Sequence, residues 1–179
     1  MKNIFFFTGK AQSGKDYIAE KLKQELENQG KTVLKLAYAD ELKRYLSVLL
    51  NISIDDVNKY KLSEEPFTKN GLSVRDLLQR LGTEIFRNEV NEEYWINVVA
   101  KKIKNSNYDY YIVTDCRFMN ELSLAYCFAS RWTVVKVVNR DCIKSSQHES
   151  EQGNLAGDIT IDNTDHKYVF DLKDFLKYF

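Results

Sequence analysis

The stretch of sequence that decides the fold is residues 9–16, which read Gly9-Lys10-Ala11-Gln12-Ser13-Gly14-Lys15-Asp16. They fit the pattern G-x-x-x-x-G-K, whose glycines let the backbone curl until its N–H groups point at phosphate oxygens. The apolar run at 2–8 reads as a buried strand, and the apolar residues that recur over 18–26 read as one face of a helix. The sequence therefore predicts a phosphate-binding loop between a strand and a helix. The alternative is an ordinary strand–turn–helix that contains two glycines.

The residues of this loop have distinct predicted roles towards a nucleoside triphosphate. Lys15 would place its ammonium against the β- and γ-phosphates, and the helix that begins near it adds the positive end of its dipole. Asp16 stands where serine or threonine usually binds Mg²⁺, so it is either a carboxylate ligand of the metal or an ordinary acid of a first helical turn. The predicted nucleotide-binding residues are Gly9, Ala11, Gln12, Ser13, Gly14, Lys15, Asp16 and Tyr17, with Asp16 as the metal ligand.

Strands and helices alternate along the rest of the chain. Strands are predicted at 2–8, 32–38, 110–114, 132–138 and 158–161. Helices are predicted at about 15–30, at 40–50 with Asp40 as the N-cap, and at 74–85, 92–103, 120–130 and 168–177, while 59–71 reads as a loop. This alternation is typical of an α/β fold in which helices cover both faces of a central parallel sheet. Ligands of such sheets bind beyond the carboxyl ends of the strands.

The predicted helix at 74–85 carries a polar flank beside its apolar stripe. Arg75, Gln79 and Gly82 fall together on that flank at 100° per residue. An arginine fork suits a phosphate, the amide of Gln79 suits a base or the arginine, and Gly82 leaves room for a ligand. Arg87 lies about 120° from Arg75, so it joins the same pocket only if the helix ends or bends near Gly82. A solvated flank with a mild helix defect at Gly82 is the alternative interpretation.

An acid and an arginine follow the predicted strand at 110–114. Asp115 ends the strand, Arg117 comes two residues later, and Glu121 lies about one turn beyond. An acid at this point can hold Mg²⁺ or orient the acceptor of a phosphoryl group. A purely structural salt bridge between Asp115 and Arg117 is the alternative.

A polar stretch without apolar periodicity runs from 140 to 157. Loops of this length are usually functional or disordered. We interpret it as a lid, in which Arg140 would balance the charge of the transition state while the loop excludes water. A merely flexible loop is the alternative.

Composition limits the class of protein. The 179 residues suit one domain, and 26 Lys and Arg balance 26 Asp and Glu, so no basic field exists for a nucleic-acid polymer. No segment approaches the length of a membrane span. Cys116, Cys127 and Cys142 lack metal-ligand spacing, and no signal peptide is visible, which indicates reduced thiols in a cytoplasm.

Together these residues resemble the deoxynucleoside monophosphate kinases of tailed bacteriophages over nearly the whole chain. The residues that carry the resemblance are Gly14-Lys15-Asp16, residues 37–43 and 75–87, Trp95, residues 114–121 and 148–151, and Ile161-Asp162-Asn163. Tyr17 departs from the threonine that many relatives have, which removes a hydroxyl near the metal. Glu41 and Met119 also depart from the family's usual residues.

The resemblance implies a P-loop NTP hydrolase-like fold in a single domain, 1–179, with a helical monophosphate-binding region at about 40–105 and a lid at about 140–157. It implies ATP and Mg²⁺ as cofactors, a deoxynucleoside monophosphate as substrate, and a homodimer as the assembly to test. The predicted catalytic residues are Lys15, Asp115, Arg117 and Arg140. The predicted substrate-binding residues are Asp40, Lys43, Arg75, Gln79, Arg87, Trp95, Asp115, Arg117, Glu121 and Glu151.

Three other functions compete with this one. One is a small-molecule P-loop kinase that acts on phosphomevalonate or dephospho-coenzyme A. Another is a nucleotide-binding module without turnover, which the arginine clusters of 75–87 and 115–117 disfavour. The third is a DNA-bound ATPase, which the net charge of zero disfavours.

Overall fold

The structure is a computed structural model, and it describes residues 2–63, 65–140, 155–166 and 168–176. The chain divides into two compact units. The first comprises Met1–Ala37 and Val99–Phe179, and the second comprises Tyr38–Val98. The single domain remains a prediction, as do its monophosphate-binding region at about 40–105 and its lid at about 140–157.

The strands are β1 Lys2–Thr8, β2 Val33–Leu36, β3 Tyr110–Val113, β4 Ala129–Val138 and β5 Ile159–Asp162. The helices are α1 Lys15–Asn28, α2 Ala39–Leu50, α3 Ile54–Tyr60, α4 Val74–Gln79, α5 Tyr94–Lys104, α6 Ser123–Phe128 and α7 Lys173–Leu176. A π-helix, Arg80–Val90, continues α4, and short 3-10 turns occupy Met119–Leu122 and Thr164–His166.

The five strands found among the described residues form one sheet in the first unit, in the order β2-β3-β1-β4-β5. Every pairing is parallel, so the predicted parallel sheet is confirmed. The middle of the central strand β1 is apolar, as expected for a strand that has a neighbour on each side and side chains packed on both faces. Its residues Ile4, Phe5, Phe6 and Phe7 are fully buried. The carboxyl ends of all five strands therefore lie along one edge of the sheet.

Helix α1 packs on this sheet through the face that the periodicity predicts. Ile18, Ala19, Leu22 and Leu26 are buried with Phe5 and Phe7 in the main core. The predicted helix at 120–130 is wrong at its end, because β4 begins at Ala129. The predicted helix at 168–177 is also wrong in length, since only Lys173–Leu176 is helical in the part of that segment described.

The second unit is helical and has a small core of its own. Leu46, Val57 and Val74 are buried there, one each from α2, α3 and α4. Helix α3 was not among the predicted elements, although Ser53 and Asp56 form a capping box at its start. The polar segment at 59–71, which holds Pro66, predicts a loop that overlaps the end of this helix, and the helix buries a single apolar residue, Val57.

Two predictions about the second unit are wrong. Asp40 does not cap α2, because Tyr38 already has helical backbone angles and the helix begins at Ala39, which leaves Asp40 in the first turn. The single helix predicted at 74–85 is instead α4 followed by the π-helix. The α-helical count of 100° per residue therefore does not extend from Arg75 to Arg87.

Within the described residues, no helix has both the length and the apolar character needed to cross a membrane.

Candidate active site

The loop between β1 and α1 turns sharply at its two glycines. Gly9 has φ +144° and Gly14 has φ +89°, values that side-chain-bearing residues rarely adopt. A Cβ added to Gly9 would lie 2.3 Å from the carbonyl oxygen of Val137 in β4. Glycine is therefore required at Gly9 both by the backbone angle and by the neighbouring strand.

Polar groups line this loop in a way that suits an anion. The hydroxyls of Thr8 and Ser13 are fully buried and have no hydrogen-bond partner within the described ranges. Lys15 is buried, and its Nζ donates to the carbonyl oxygen of Lys10 at 3.4 Å, which folds the side chain back over the loop. Gly14, the N-cap residue of α1, makes no side-chain capping hydrogen bond, and the N-terminal end of a helix favours an anion. These features fit a triphosphate.

The remaining loop residues predicted to bind nucleotide lie around this turn. Ala11 is half-buried, whereas Gln12 is exposed and has φ +63°. Asp16 and Tyr17 are exposed in the first turn of α1. No cluster of three metal-ligating side chains occurs among the residues that the structure describes. A single carboxylate such as Asp16 still suits Mg²⁺, which is commonly held by one or two carboxylates together with phosphates and water.

The segment after β3 runs along the same edge of the sheet. The backbone N–H of Thr114 donates to the Leu36 carbonyl oxygen, and that of Cys116 donates to the Phe7 carbonyl oxygen, both at 3.0 Å. Asp115 lies between these two anchors and is half-buried. Because Phe7 is two residues before Gly9, the backbone of this segment is fixed beside the start of the loop at 9–15, which we call the phosphate loop after its sequence motif.

Glu121 is buried beneath the turn that carries Arg117. Its side chain is 2% exposed, and its Oε2 accepts from the backbone N–H groups of Arg117 at 2.7 Å and Phe118 at 3.0 Å. The carboxylate therefore fixes the backbone of the turn, and Arg117 itself is half-buried. The predicted contact of Glu121 with substrate stays a prediction.

Arg140 extends from the carboxyl end of β4 and meets the end of β5. Its guanidinium lies 3.2 Å from the carboxylate of Asp162, with the Arg140 side chain 77% exposed. Hydrogen bonds from the hydroxyl and the N–H of Thr164, together with the charge of Arg140, hold the pKa of Asp162 below its usual range. The rest of the predicted lid at 141–154, including Glu151, lies outside the described residues.

Arg75 and Gln79 lie one turn apart on α4 and share a face of that helix. Gln79 carries a buried Nε2 for which no acceptor exists within the part of the chain described. A buried donor without a partner is costly, so this amide is suited to meet an acceptor on a ligand. Arg87 lies in the π-helix and is 8% exposed.

Gly82 serves packing within the second unit, which corrects its interpretation as room for a ligand. A Cβ there would lie 2.6 Å from Cδ2 of Leu42 in α2, so a side chain already fills the space. The carbonyl oxygen of Gly82 accepts from Nε1 of the buried Trp95 at 2.8 Å. Trp95 also packs against Tyr45 and Phe86. Its predicted contact with substrate stays a prediction.

The other predicted acceptor-binding residues lie on α2. Asp40 is exposed and Lys43 is half-buried. Asn163, by contrast, was not among the predicted site residues, yet its side chain reaches the phosphate loop. Its Nδ2 donates to the carbonyl oxygen of Ser13 at 2.9 Å. The motif Ile161-Asp162-Asn163 was a sequence signal, but nothing in it indicated a partner 150 positions away.

The parallel sheet with a phosphate loop after its central strand defines an α/β protein of the P-loop class. The chain belongs to the deoxynucleotide monophosphate kinase family, whose model matches residues 67–173. The predicted resemblance is thus confirmed. The match begins after the phosphate loop, so the loop and the match are separate observations.

Two curated relatives are deoxynucleotide monophosphate kinases of bacteriophages. That of Escherichia phage RB69 is 30% identical over 115 residues, which cover 60% of this chain and 46% of the relative. That of Enterobacteria phage T4 is 36% identical over 96 residues, which cover 51% of this chain and 39% of the relative. The chain spans less than half the length of these relatives.

Solved structures that match this chain at low similarity include two kinases. The APS kinase of Mycobacterium tuberculosis has a TM-score of 0.45 and 13% identity, with 98% of this chain and 94% of that chain covered. The shikimate kinase of Aquifex aeolicus has a TM-score of 0.41 and 14% identity, with 89% and 85% covered.

Proposed function

We propose that this protein transfers the γ-phosphoryl group of ATP to a deoxynucleoside monophosphate and yields the diphosphate and ADP. The observation that carries the proposal is the shape of the loop at 9–15, with its uncapped helix and buried, unpartnered hydroxyls within the described residues. The family model for deoxynucleotide monophosphate kinases matches residues 67–173, and a kinase needs a loop that binds the phosphates of ATP. Two phage relatives are also named deoxynucleotide monophosphate kinase.

On the donor side, the loop amides and Lys15 hold the β- and γ-phosphates of ATP. The dipole of α1 adds favourable charge at the same point. Lys15 exchanges its contact with the Lys10 carbonyl oxygen for phosphate oxygens. Mg²⁺, held by Asp16 directly or through water, would supply charge neutralisation at these oxygens.

On the acceptor side, arginines hold an anion, and no strong base is needed. The phosphate of the monophosphate is itself the nucleophile, so positioning and charge neutralisation carry most of the rate acceleration. Arg75 and Arg87 bind the acceptor phosphate in this proposal, and Gln79 offers its unpartnered Nε2 to the substrate. Asp115 and Arg117 act at the phosphoryl group, and Arg140 contributes charge from the start of the lid.

The proposal also covers the kind of substrate, the location of the protein and its oligomeric state. The substrates are small molecules and not a nucleic-acid polymer, in line with the formal net charge of zero. A cytoplasmic location and a homodimer also belong to it, and size-exclusion chromatography with light scattering tests the homodimer.

A coupled assay of ADP release across acceptors tests the function. The panel holds all deoxy- and ribonucleoside monophosphates, phosphomevalonate and dephospho-coenzyme A, with ATP and Mg²⁺ in excess. We expect release with one or more deoxynucleoside monophosphates. Release only with one of the other two acceptors would instead indicate a different small-molecule kinase. ATP binding without release for any acceptor would indicate a nucleotide-binding module.

A further inference from the structure

Asn163 is a buried polar residue just past the carboxyl end of β5. It is 3% exposed, so its amide groups need partners inside the protein. The Nδ2 group donates to the carbonyl oxygen of Ser13 at 2.9 Å. This hydrogen bond joins the last strand of the sheet to the phosphate loop.

The backbone of Asn163 is itself anchored. Its N–H donates to the carbonyl oxygen of Val138, the last residue of β4, at 2.7 Å. The neighbouring carbonyl oxygen, that of Val137, is the one that Gly9 approaches too closely for any side chain. The ends of β4 and β5 therefore constrain the phosphate loop at its first residue and near its last.

The hydrogen bond to Ser13 has a consequence for the next N–H group along the chain. Ser13 C=O and Gly14 N–H belong to one trans peptide plane, in which they point in opposite directions. A donor fixed on the carbonyl oxygen therefore also fixes the direction of Gly14 N–H. That N–H has no hydrogen-bond partner within the described residues. Because Gly14 lacks a Cβ, this peptide would otherwise reorient easily.

We infer that Asn163 is a positioning residue for nucleotide binding, which holds Ser13 C=O and thereby aims Gly14 N–H at a phosphate group. The inference rests on the proposed function in one respect, namely that the loop binds the phosphates of a nucleotide. Asn163 does not touch the nucleotide in this account; it acts through the peptide between Ser13 and Gly14.

The test measures ATP affinity by titration calorimetry with Mg²⁺ and no acceptor, together with steady-state kinetics. For Asn163→Ala we expect the Kd and KM for ATP to rise about three- to tenfold, the range for loss of one buried hydrogen bond. The KM for the deoxynucleoside monophosphate should stay unchanged. Asn163→Asp keeps the shape of the side chain but places an acceptor against the Ser13 carbonyl oxygen, so its ATP affinity should fall further.

The matched control is Asp158→Ala, at the other end of β5. Asp158 also binds a backbone group of a distant segment, because its carboxylate accepts from the N–H of Val134 at 2.8 Å. It lies before the strand and not beyond its carboxyl end. This variant should lower thermal stability and leave the Kd for ATP unchanged.

The pH profile of Asn163→Asp separates positioning from general stability. The deficit in ATP affinity relative to wild type should shrink as the pH falls towards the pKa of the introduced carboxyl group, because the protonated form regains a donor. A deficit that does not change with pH would contradict the inference. So would unchanged ATP affinity in Asn163→Ala, or an equal loss in Asp158→Ala.

Failure of the proposed function would look different. If wild type bound no ATP, that function would fail, and amide hydrogen exchange over 9–14 would test the inference by itself. Faster exchange there in Asn163→Ala than in wild type and Asp158→Ala would support the inference. Equal exchange in all three proteins would overturn it.

Discussion

Single residues of the phosphate loop are constrained by backbone angles and by contacts with neighbouring residues. Gly9 can carry no side chain beside Val137, Lys15 folds onto the carbonyl oxygen of Lys10, and Ser13 is held through its own carbonyl oxygen by Asn163. A loop so constrained is formed before its ligand arrives, which reduces the entropy lost on binding.

Gly9→Ala should disrupt the loop. The added Cβ would lie 2.3 Å from the Val137 carbonyl oxygen, and φ is +144°. We expect a loss of about 2 kcal/mol or more in the free energy of unfolding and a loss of ATP binding. Gly30→Ala is the control, since Gly30 also has positive φ, +75°, but nothing lies within 4 Å of its Cβ position. It should cost about 1 kcal/mol and leave ATP binding intact. Chemical denaturation and calorimetry measure both effects, and equal ATP affinity in the two variants would contradict the prediction.

At the scale of elements, short helices are fixed by their ends more than by their own propensity. Helix α3 has 7 residues, α4 has 6 before the π-helix continues it, and each begins with a capping box. Isolated helices of this length are marginal in water, so caps and tertiary contacts hold them.

The cap of α4 makes the stability of the protein depend on pH. Hydrogen bonds from the hydroxyl and the N–H of Ser73 hold the pKa of Asp76 below its usual range. A carboxylate with a lowered pKa stabilises the folded state above its unfolded pKa, near 4, and that contribution is lost as the pH falls through the folded value. We expect wild type to lose its stability advantage over Asp76→Asn below about pH 4, in denaturation series across pH. A constant difference down to pH 2 would contradict this account.

The π-helix is held by an indole. Replacing Trp95 with phenylalanine removes the hydrogen bond to the Gly82 carbonyl oxygen but keeps an aromatic ring beside Tyr45 and Phe86. We expect Trp95→Phe to cost about 1 kcal/mol and to speed amide exchange over 80–90. Trp132→Phe is the matched control, because Trp132 lies on β4 and contacts Tyr126. Equal amide exchange over 80–90 in both variants would contradict the role of Trp95 in stabilising the π-helix.

At the scale of the whole molecule, the structural features that the sequence predicts correctly are those that depend on residues close together along the chain. The buried run of β1, the glycines of the loop and the periodicity of α1 are local signals, and the parallel sheet follows from the alternation of elements. The shift from α4 to the π-helix was not predictable, because it accompanies packing against Leu42 and Trp95. The hydrogen bond between Asn163 and Ser13 could not be predicted from the sequence either, since it joins residues 150 positions apart.

In the proposed function, the loop at 9–15 holds the phosphoryl group that is transferred. The measurement that tests it most directly is ADP release from ATP, Mg²⁺ and a deoxynucleoside monophosphate by wild type, Lys15→Ala and Lys31→Ala. Lys31 is an exposed lysine just before β2, at the edge of the sheet opposite the loop. We predict turnover by wild type and Lys31→Ala and a loss of about 100-fold or more in Lys15→Ala, because the ammonium meets charge that develops in the transition state. Turnover by Lys15→Ala at the wild-type rate would contradict the account.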